Sequence, residues 1–404
     1  MLGRISLGLR LVAAMIQILL DRLAEGAGRA LPRTREQLAN ADTLNSLFRK
    51  YTPEGTAPLP PIRTARLTGV DFESSNCTNF LIDLEFDPAT RKQESLPRTV
   101  YAKIPCKEVA TRAFANAIGF WDTEIAFCKS IAPRVPIRVP KVYAVEKRGA
   151  RFVLLLENLL ETPGTQLFIN RDMAAGTTPE RARMCLRTFA ELHAAFSDLS
   201  ADEREAILPI RLHIYLSPGG PSRTRALNGS AIDPAHAAAP DILTEKHVAI
   251  CKRAIQKWDA LMDVWYGGPL TLIHGDSHLA NCFEYPTPEG PRMGLIDFQG
   301  IQWCKGIRDV QYFLINSLAP EILEKHEAEL IDSYVEALAG YGVVLGHQDA
   351  HEQYRAYSFQ TLMVAVVSIG LGSLTERDET VRTLLERSVA AIDRLAFGEW
   401  LEEL

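Results

Sequence analysis

The sequence predicts a two-lobed α+β fold, a small β-rich N-terminal lobe followed by a large helical C-terminal lobe. Between Leu67 and Lys147 the chain is built of short runs that alternate apolar and polar residues. After about Leu160 apolar residues recur almost everywhere at helical spacing. The chain has 404 residues, against a usual domain of roughly 100 to 200, which suits two lobes and a ligand cleft at their interface.

Residues 1 to about 50 read as helical. Leu11 to Leu20 is uncharged but too short to span a bilayer. With Arg4, Arg10, Arg22 and Arg29 nearby, it reads as an amphipathic N-terminal helix, with a targeting segment as the alternative. Tyr51 to Ile62 carries four prolines, which cannot continue a helix, and reads as a linker. Phe80 to Phe86 and Thr99 to Ile104 read as paired strands. Arg112 to Ile131 reads as helical, and a turn at Lys147 to Ala150 separates two further strands, of which Phe152 to Leu156 is the more apolar. Pro179 to Phe196 repeats Leu186, Phe189, Ala190, Leu192 and His193 on a helical face. Ser217 to Pro240, rich in Gly, Pro, Ser and Ala, reads as a mobile loop. A compact pair of β-like runs interrupts the helices around 271 to 299. Ala356 to Thr375 carries no charge, but its glutamine, serines, threonines and glycines suit a buried core helix better than a membrane span. The expected division is a helical extension over 1–50, an N-lobe over 51–160 and a C-lobe over 161–404.

The net charge of −6 offers no general attraction to nucleic acid or anionic lipid, so an anionic ligand needs a local site. The seven cysteines are widely spaced with no CxxC pair, which argues against a disulfide framework or zinc knuckle and for a reducing, cytoplasmic setting. Neither nucleic acid nor stable membrane insertion is expected.

The most specific feature is TLIHGDSHLAN, Thr271 to Asn281, followed sixteen residues later by Asp297 in GLIDFQG. Two apolar runs each end at a carboxylate. Phosphoryl transfer asks little covalent chemistry of a protein, but it needs an aspartate facing the attacking hydroxyl and oxygen ligands for Mg²⁺. Asp276 supplies the first, and Asn281 with Asp297 the second. The spacing from Asp276 to Asn281 equals that in the protein-kinase signature HRD, four residues, Asn.

On these residues the chain resembles the aminoglycoside-phosphotransferase and choline-kinase-like superfamily, including its CHK or ecdysteroid-kinase-like branch, whose catalytic loop reads HGDxxxxN followed by IDF or IDW. The resemblance covers roughly Arg66 to Leu374. It implies a protein-kinase-like two-lobed fold and an ATP- and Mg²⁺-dependent phosphotransferase acting on a hydroxyl of a small organic acceptor, with GTP left open as the donor. It also implies Asp276 as base, Asn281 and Asp297 as metal ligands, and His274 as a brace of the catalytic loop. A kinase further requires a strand lysine for the phosphates and a helix glutamate to hold it, and Lys103 in VYAKIP and Glu124 in FWDTEIAFC fit. Leu154 to Leu159, with Glu157 and Leu159, resembles the family's adenine-binding hinge. The Gly-rich phosphate loop is absent. Only Gly69 lies in that region, so Ser74, Ser75, Asn76 and Thr78 would supply the turn and its donors.

His193 in AELHAAF reads as a buried hydrogen-bonding histidine. Asp309 reads as a residue that caps a helix start, and the resemblance implies that it ties the catalytic loop to that helix. His274 and His278 flank Asp276 and raise a metal-hydrolase alternative, which a turn at Gly275 disfavours. A non-catalytic kinase-fold binding protein is the other alternative, against which every charged catalytic position is present. The acceptor stays open. Asp198, Asp202, Glu203 and Glu205 would suit an aminoglycoside acceptor with its several ammonium groups but read as a solvated helix start. Trp258, Trp265 and Tyr266 would suit a quaternary ammonium but read as core, and the Ala356 to Thr375 helix would suit a lipid-like molecule. No segment resembling a protein-kinase activation loop follows Asp297.

Overall fold

The structure, a computed structural model, describes residues 2–25, 31–72, 76–89, 96–372 and 379–404. It divides into two compact units. One comprises Leu7–Val135 and Val139–Thr165; the other comprises Gln166–Leu404 with Pro136–Arg138 and the first six residues.

The first unit is a five-stranded antiparallel sheet with helices on both faces. Its strands are β1 (Ile62–Phe72), β2 (Cys77–Phe86), β3 (Thr99–Pro105), β4 (Val142–Arg148) and β5 (Arg151–Glu157), in the order β1-β2-β3-β5-β4. The helices are α1 (Leu2–Glu25, part of this unit from Leu7), α2 (Arg35–Leu38), α3 (Ala41–Tyr51), α4 (Val109–Ile118) and α5 (Phe120–Ala126). Strand side chains alternate between faces. Val100, Ala102 and Ile104 of β3, with Val153 and Leu155 of β5, join Leu44, Leu47 and Phe48 of α3 in one core cluster. Lys103 therefore points to the opposite face, as does Phe152, whose ring meets Trp121 of α5 at 5.1 Å.

The proline-rich stretch is pinned at its end, because the Asn45 side chain bonds both the N–H and the carbonyl of Ile62, at 2.8 and 2.9 Å. The helical stretch expected over 112–131 is broken at Gly119, whose φ of 90° is left-handed, so α4 stops and α5 starts there. Beyond α5 one π-helical turn, Phe127–Ile131, completes it.

The second unit is mainly helical: α6 (Asn170–Ala175), α7 (Pro179–Ala195), α8 (Ala201–Ile207), α9 (Gly220–Ala238), α10 (Glu245–Gln256), α11 (Trp258–Tyr266), α12 (Ile307–Ser317), α13 (Pro320–Gly340), α14 (His347–Gly370), α15 (Glu379–Arg394) and α16 (Phe397–Glu403). Every residue of α12 is buried. Two small sheets interrupt the helices. One pairs β7 (Thr271–Ile273) with β10 (Gln302–Cys304), and the other orders β6 (Gln166–Leu167), β8 (Cys282–Thr287) and β9 (Gly290–Leu295) as β6-β8-β9.

One expectation is corrected here. Ser217 to Pro240 is not a loop, since most of it forms α9, with Pro221 in the first turn where its missing N–H costs nothing. Its small residues serve close packing. A Cβ on Gly370 of α14 would stand 2.2 Å from the carbonyl oxygen of Ala231, so the two helices approach to backbone contact. All seven cysteines are free and buried, and among the described residues no helix is long and apolar enough to cross a membrane.

Candidate active site

The loop after β7 is held from three sides. Gly275 has φ +82°, a conformation that favours glycine, and a Cβ there would fall 1.9 Å from the carbonyl oxygen of Gly300. The two loops thus touch through glycines, which explains the G in HGD and the G closing IDFQG.

Asp309, in the first turn of α12, is the second support. It does not cap its own helix. Its carboxylate accepts the backbone N–H groups of His274 at 2.6 Å and Gly275 at 2.9 Å, while its carbonyl accepts the Ser277 hydroxyl at 2.9 Å. His193 Nε2 lies 3.2 Å from the same carboxylate, and Tyr334 Oη lies 2.9 Å from His193 Nδ1. With the carboxylate as acceptor, His193 donates through Nε2 and accepts from the tyrosine. Burial would raise the pKa of Asp309, but the hydrogen bond from His193 and the nearby positive charge of Arg308 help outweigh it and hold the value at about 2.

Arg308 was not singled out in the sequence, and it makes the third support. Its buried guanidinium donates from Nη1 to the Gly275 carbonyl at 2.5 Å and lies over the Tyr312 ring at 4.6 Å. Burial, and then the charge of Asp276, raises the Tyr312 pKa, so its phenol stays a neutral donor beside that carboxylate. A positive charge inside the all-apolar setting expected for a helix reading VQYFL gives no periodic signal, which is why pattern reading passes over it.

Within this frame Asp276 and Asn281 meet directly. The Asn281 amide nitrogen donates to the Asp276 carbonyl at 2.8 Å and lies 3.2 Å from Asp276 Oδ2. The amide oxygen of Asn281 is then the end turned away from Asp276. The Asp276 side chain is 41% exposed, whereas those of His193 and Asp309 are 1% and 0% exposed. The loop therefore presents one accessible carboxylate on a buried support.

Asp297 is brought to the same loop through its neighbour. The N–H of Ile296 donates to the Asn281 carbonyl at 2.9 Å, and His274 Nε2 bonds the Ile296 carbonyl at 2.8 Å. Asp297 itself is left-handed, with φ 62°, a conformation that aspartate tolerates better than most residues. His274 accepts the Asp276 N–H at Nδ1, 3.2 Å away, so both of its ring nitrogens are engaged within the loop. His278 Nε2 stands 3.7 Å from Asp276 Oδ2, and burial lowers its pKa. The paired-histidine metal site of the hydrolase alternative is thus not built, and among the described residues no cluster of three or more His, Cys, Asp or Glu side chains could hold a metal by itself. Mg²⁺ asks less of a protein, since it keeps waters and substrate phosphates and takes one or two carboxylates. Oxygen donors at Asn281 and Asp297 fit that requirement.

In the other unit Lys103 of β3 and Glu124 of α5 form an ion pair of 2.7 Å, each side chain 4% exposed. Glu157 accepts the Lys141 N–H at 2.9 Å through its side chain and donates its own N–H to the Lys141 carbonyl at 2.8 Å. Leu159 is buried at the start of a 3₁₀ turn. Gly69 lies at a register shift in the β1–β2 hairpin, and Asn76 accepts the Cys106 N–H at 3.3 Å through its carbonyl. Ser74 and Ser75 lie outside the described residues.

Four of the acceptor candidates serve capping or packing. Glu203 completes a capping box with Ser200, and Glu205 accepts the Ile210 N–H at 2.7 Å. Trp258 and Trp265 are buried against each other, with centroids 5.5 Å apart, and Trp265 donates to the Ala356 carbonyl at 2.8 Å.

The sequence profile of the ecdysteroid kinase-like family matches residues 70–346. No protein of curated function matches the sequence. Among solved structures, the chain is similar to a Ralstonia eutropha protein assigned as an aminoglycoside phosphotransferase. The identity is 16% over 90% of this chain and 98% of that one, with a TM-score of 0.52. It is also similar to Plasmodium vivax ethanolamine kinase, at 10% identity over 82% and 81% of the chains, TM-score 0.50. A variant of aminoglycoside 2′-phosphotransferase-IIIa in complex with GDP matches at 15% identity over 88% and 98%, TM-score 0.50. At these identities the likeness establishes the fold, which is that of the two-lobed, protein-kinase-like small-molecule kinases.

Proposed function

The chain belongs to the ecdysteroid kinase-like family, and from that premise we propose that it is a phosphotransferase moving the γ-phosphoryl group of ATP to a hydroxyl of a small organic molecule. The observation that carries this reading is the loop geometry. Asp276, accessible, is hydrogen-bonded to Asn281, and the Gly275 before it is held by the buried carboxylate of Asp309.

Asp276 faces the acceptor and takes the hydroxyl proton as the oxygen–phosphorus bond forms and the bond to the leaving diphosphate breaks. Asn281 and Asp297 would hold Mg²⁺, which when bound offsets the charge of the phosphate oxygens. Lys103, fixed by Glu124, binds the nucleotide phosphates, and Glu157 to Leu159 take the adenine edge. Asn76 offers a donor to the phosphates where a Gly-rich loop would. The acceptor is a hydroxylated small molecule, as the family name and the ethanolamine kinase among the fold relatives suggest.

The test is transfer of labelled phosphate from ATP to a panel of hydroxylated acceptors. Asp276→Asn lowers turnover by about 10²-fold to 10⁴-fold while MgATP binding persists. Undiminished transfer in that variant refutes the role of Asp276.

A further inference from the structure

Helix α1 is attached by its smaller face. Ala14 and Ile18 pack on Ala113 and Ala117 of α4 and on Ala150, and the buried Asp21 carboxylate accepts the Ala150 N–H at 2.8 Å. Gly149 leaves room for that carboxylate, since a Cβ there would lie 2.2 Å from Asp21 Oδ1. The larger apolar residues point outward. Leu9, Val12, Ile16, Leu19, Leu20 and Leu23 follow helical spacing along one stripe, and all are exposed, Leu9 at 66% and Leu23 at 75%. This reverses the usual arrangement of a surface helix.

Among the described side chains of α1, the charges bordering the stripe are all of one sign. Arg22 and Arg10 are exposed, one on each flank, although Arg10 also reaches the Ala117 carbonyl of α4 at 3.4 Å, and the only carboxylate between Gly8 and Leu23 is Asp21, which is buried against the protein. In a chain of net charge −6 this is a locally cationic, apolar surface. A second copy is a poor occupant. An antiparallel pairing of two such stripes centred on Ile16 sets Arg10 opposite Arg22, and a parallel one sets like residues together, with no exposed carboxylate among the described side chains of the helix to relieve either. No helix among the described residues is apolar and long enough to cross a bilayer, which leaves a helix lying in the interface.

We propose that the outward face of α1 docks on an anionic lipid surface, with the leucine stripe in the acyl boundary and Arg10 and Arg22 at the headgroups. This is independent of the phosphotransfer reading.

The experiment is flotation of the full-length protein with vesicles of phosphatidylcholine alone and with about a quarter phosphatidylglycerol. The protein is expected to bind the anionic vesicles at least about fivefold more strongly than the neutral ones. Ile16→Glu with Leu19→Glu abolishes binding without changing the unfolding temperature, since both positions are exposed, and Arg22→Glu weakens it at least about fivefold. Absence of binding, equal binding to both vesicles, or binding that survives the double glutamate variant overturns the proposal. So does lipid-free self-association that the double variant removes, which would assign the stripe to a second copy.

Discussion

Asp309 holds the Gly275 N–H at 2.9 Å while Arg308, its neighbour in the chain, holds the Gly275 carbonyl at 2.5 Å. Both faces of one peptide-flanked glycine are thus fixed from the first turn of a fully buried helix. The residue that follows, Asp276, inherits its position from that clamp.

Asp309→Asn keeps one acceptor oxygen and turns an amide NH₂ toward a backbone N–H. With a buried charge-assisted bond lost, the variant is expected to lose about 1.5–3 kcal/mol in urea unfolding. Its turnover should fall more than its MgATP affinity, because the clamp positions Asp276 and not Lys103. An unchanged unfolding midpoint contradicts the clamp.

Gly275→Ala meets both a positive φ and the Gly300 carbonyl. It is expected to cost about 1–3 kcal/mol from the backbone conformation alone, with turnover reduced further. Gly370→Ala meets the Ala231 carbonyl instead, so it should lower stability while leaving the kinetic constants of the folded protein near wild type. Equal kinetic damage in the two variants refutes this division between site and packing.

The buried pair Lys103–Glu124 separates stability from function. Lys103→Ala removes the cation that Glu124 holds at 2.7 Å in a buried pair and is expected to destabilise by about 3–5 kcal/mol. Lys103→Met with Glu124→Leu removes both charges, so stability returns toward wild type while MgATP binding does not. Calorimetric titration alongside thermal unfolding reads the two effects, and recovery of nucleotide binding in the double variant excludes the phosphate role.

His213 gives a pH dependence. Its Nδ1 accepts the N–H groups of Tyr215 and Leu216 at 3.1 and 3.0 Å, Nε2 donates to the Trp303 carbonyl at 2.8 Å, and burial lowers its pKa from 6.5 to about 4. Below pH 6.5 the unfolded chain binds a proton that the folded one refuses, so stability falls as pH drops from 6.5 toward 4 and levels off below that. The shift corresponds to a change on the order of 3 kcal/mol. His213→Asn, which keeps the acceptor but not the titration, should flatten this slope in unfolding measured across the window, and an unaltered slope assigns the dependence elsewhere.

What the sequence revealed follows from what each signal depends on. The strand alternation around Phe80 and Thr99 and the apolar face of Leu186, Phe189 and Leu192 are local patterns, and β2, β3 and α7 lie there. HGD with Asn281 is legible because one loop holds its whole geometry. Ser217 to Pro240 misled because the composition of a loop and that of a close helix contact are alike, and only Gly370, far along the chain, distinguishes them. Asp309 read as a cap because a first-turn aspartate usually serves its own helix, and its true acceptors are set by tertiary approach. Arg308, Tyr312 and Tyr334 carry no spacing that marks them, and α1 looked merely amphipathic because sequence does not say which face is turned inward.

The most direct test of the account is thermal unfolding with ATP, with and without Mg²⁺, in wild type, Asp276→Asn and Asp297→Asn. At a nucleotide concentration of about 100 times Kd, the account predicts a Mg²⁺-dependent gain of about 2.7 kcal/mol in wild type, kept in Asp276→Asn and lost in Asp297→Asn. A gain that ignores Mg²⁺ and survives Asp297→Asn, or no gain at all in wild type, would contradict it.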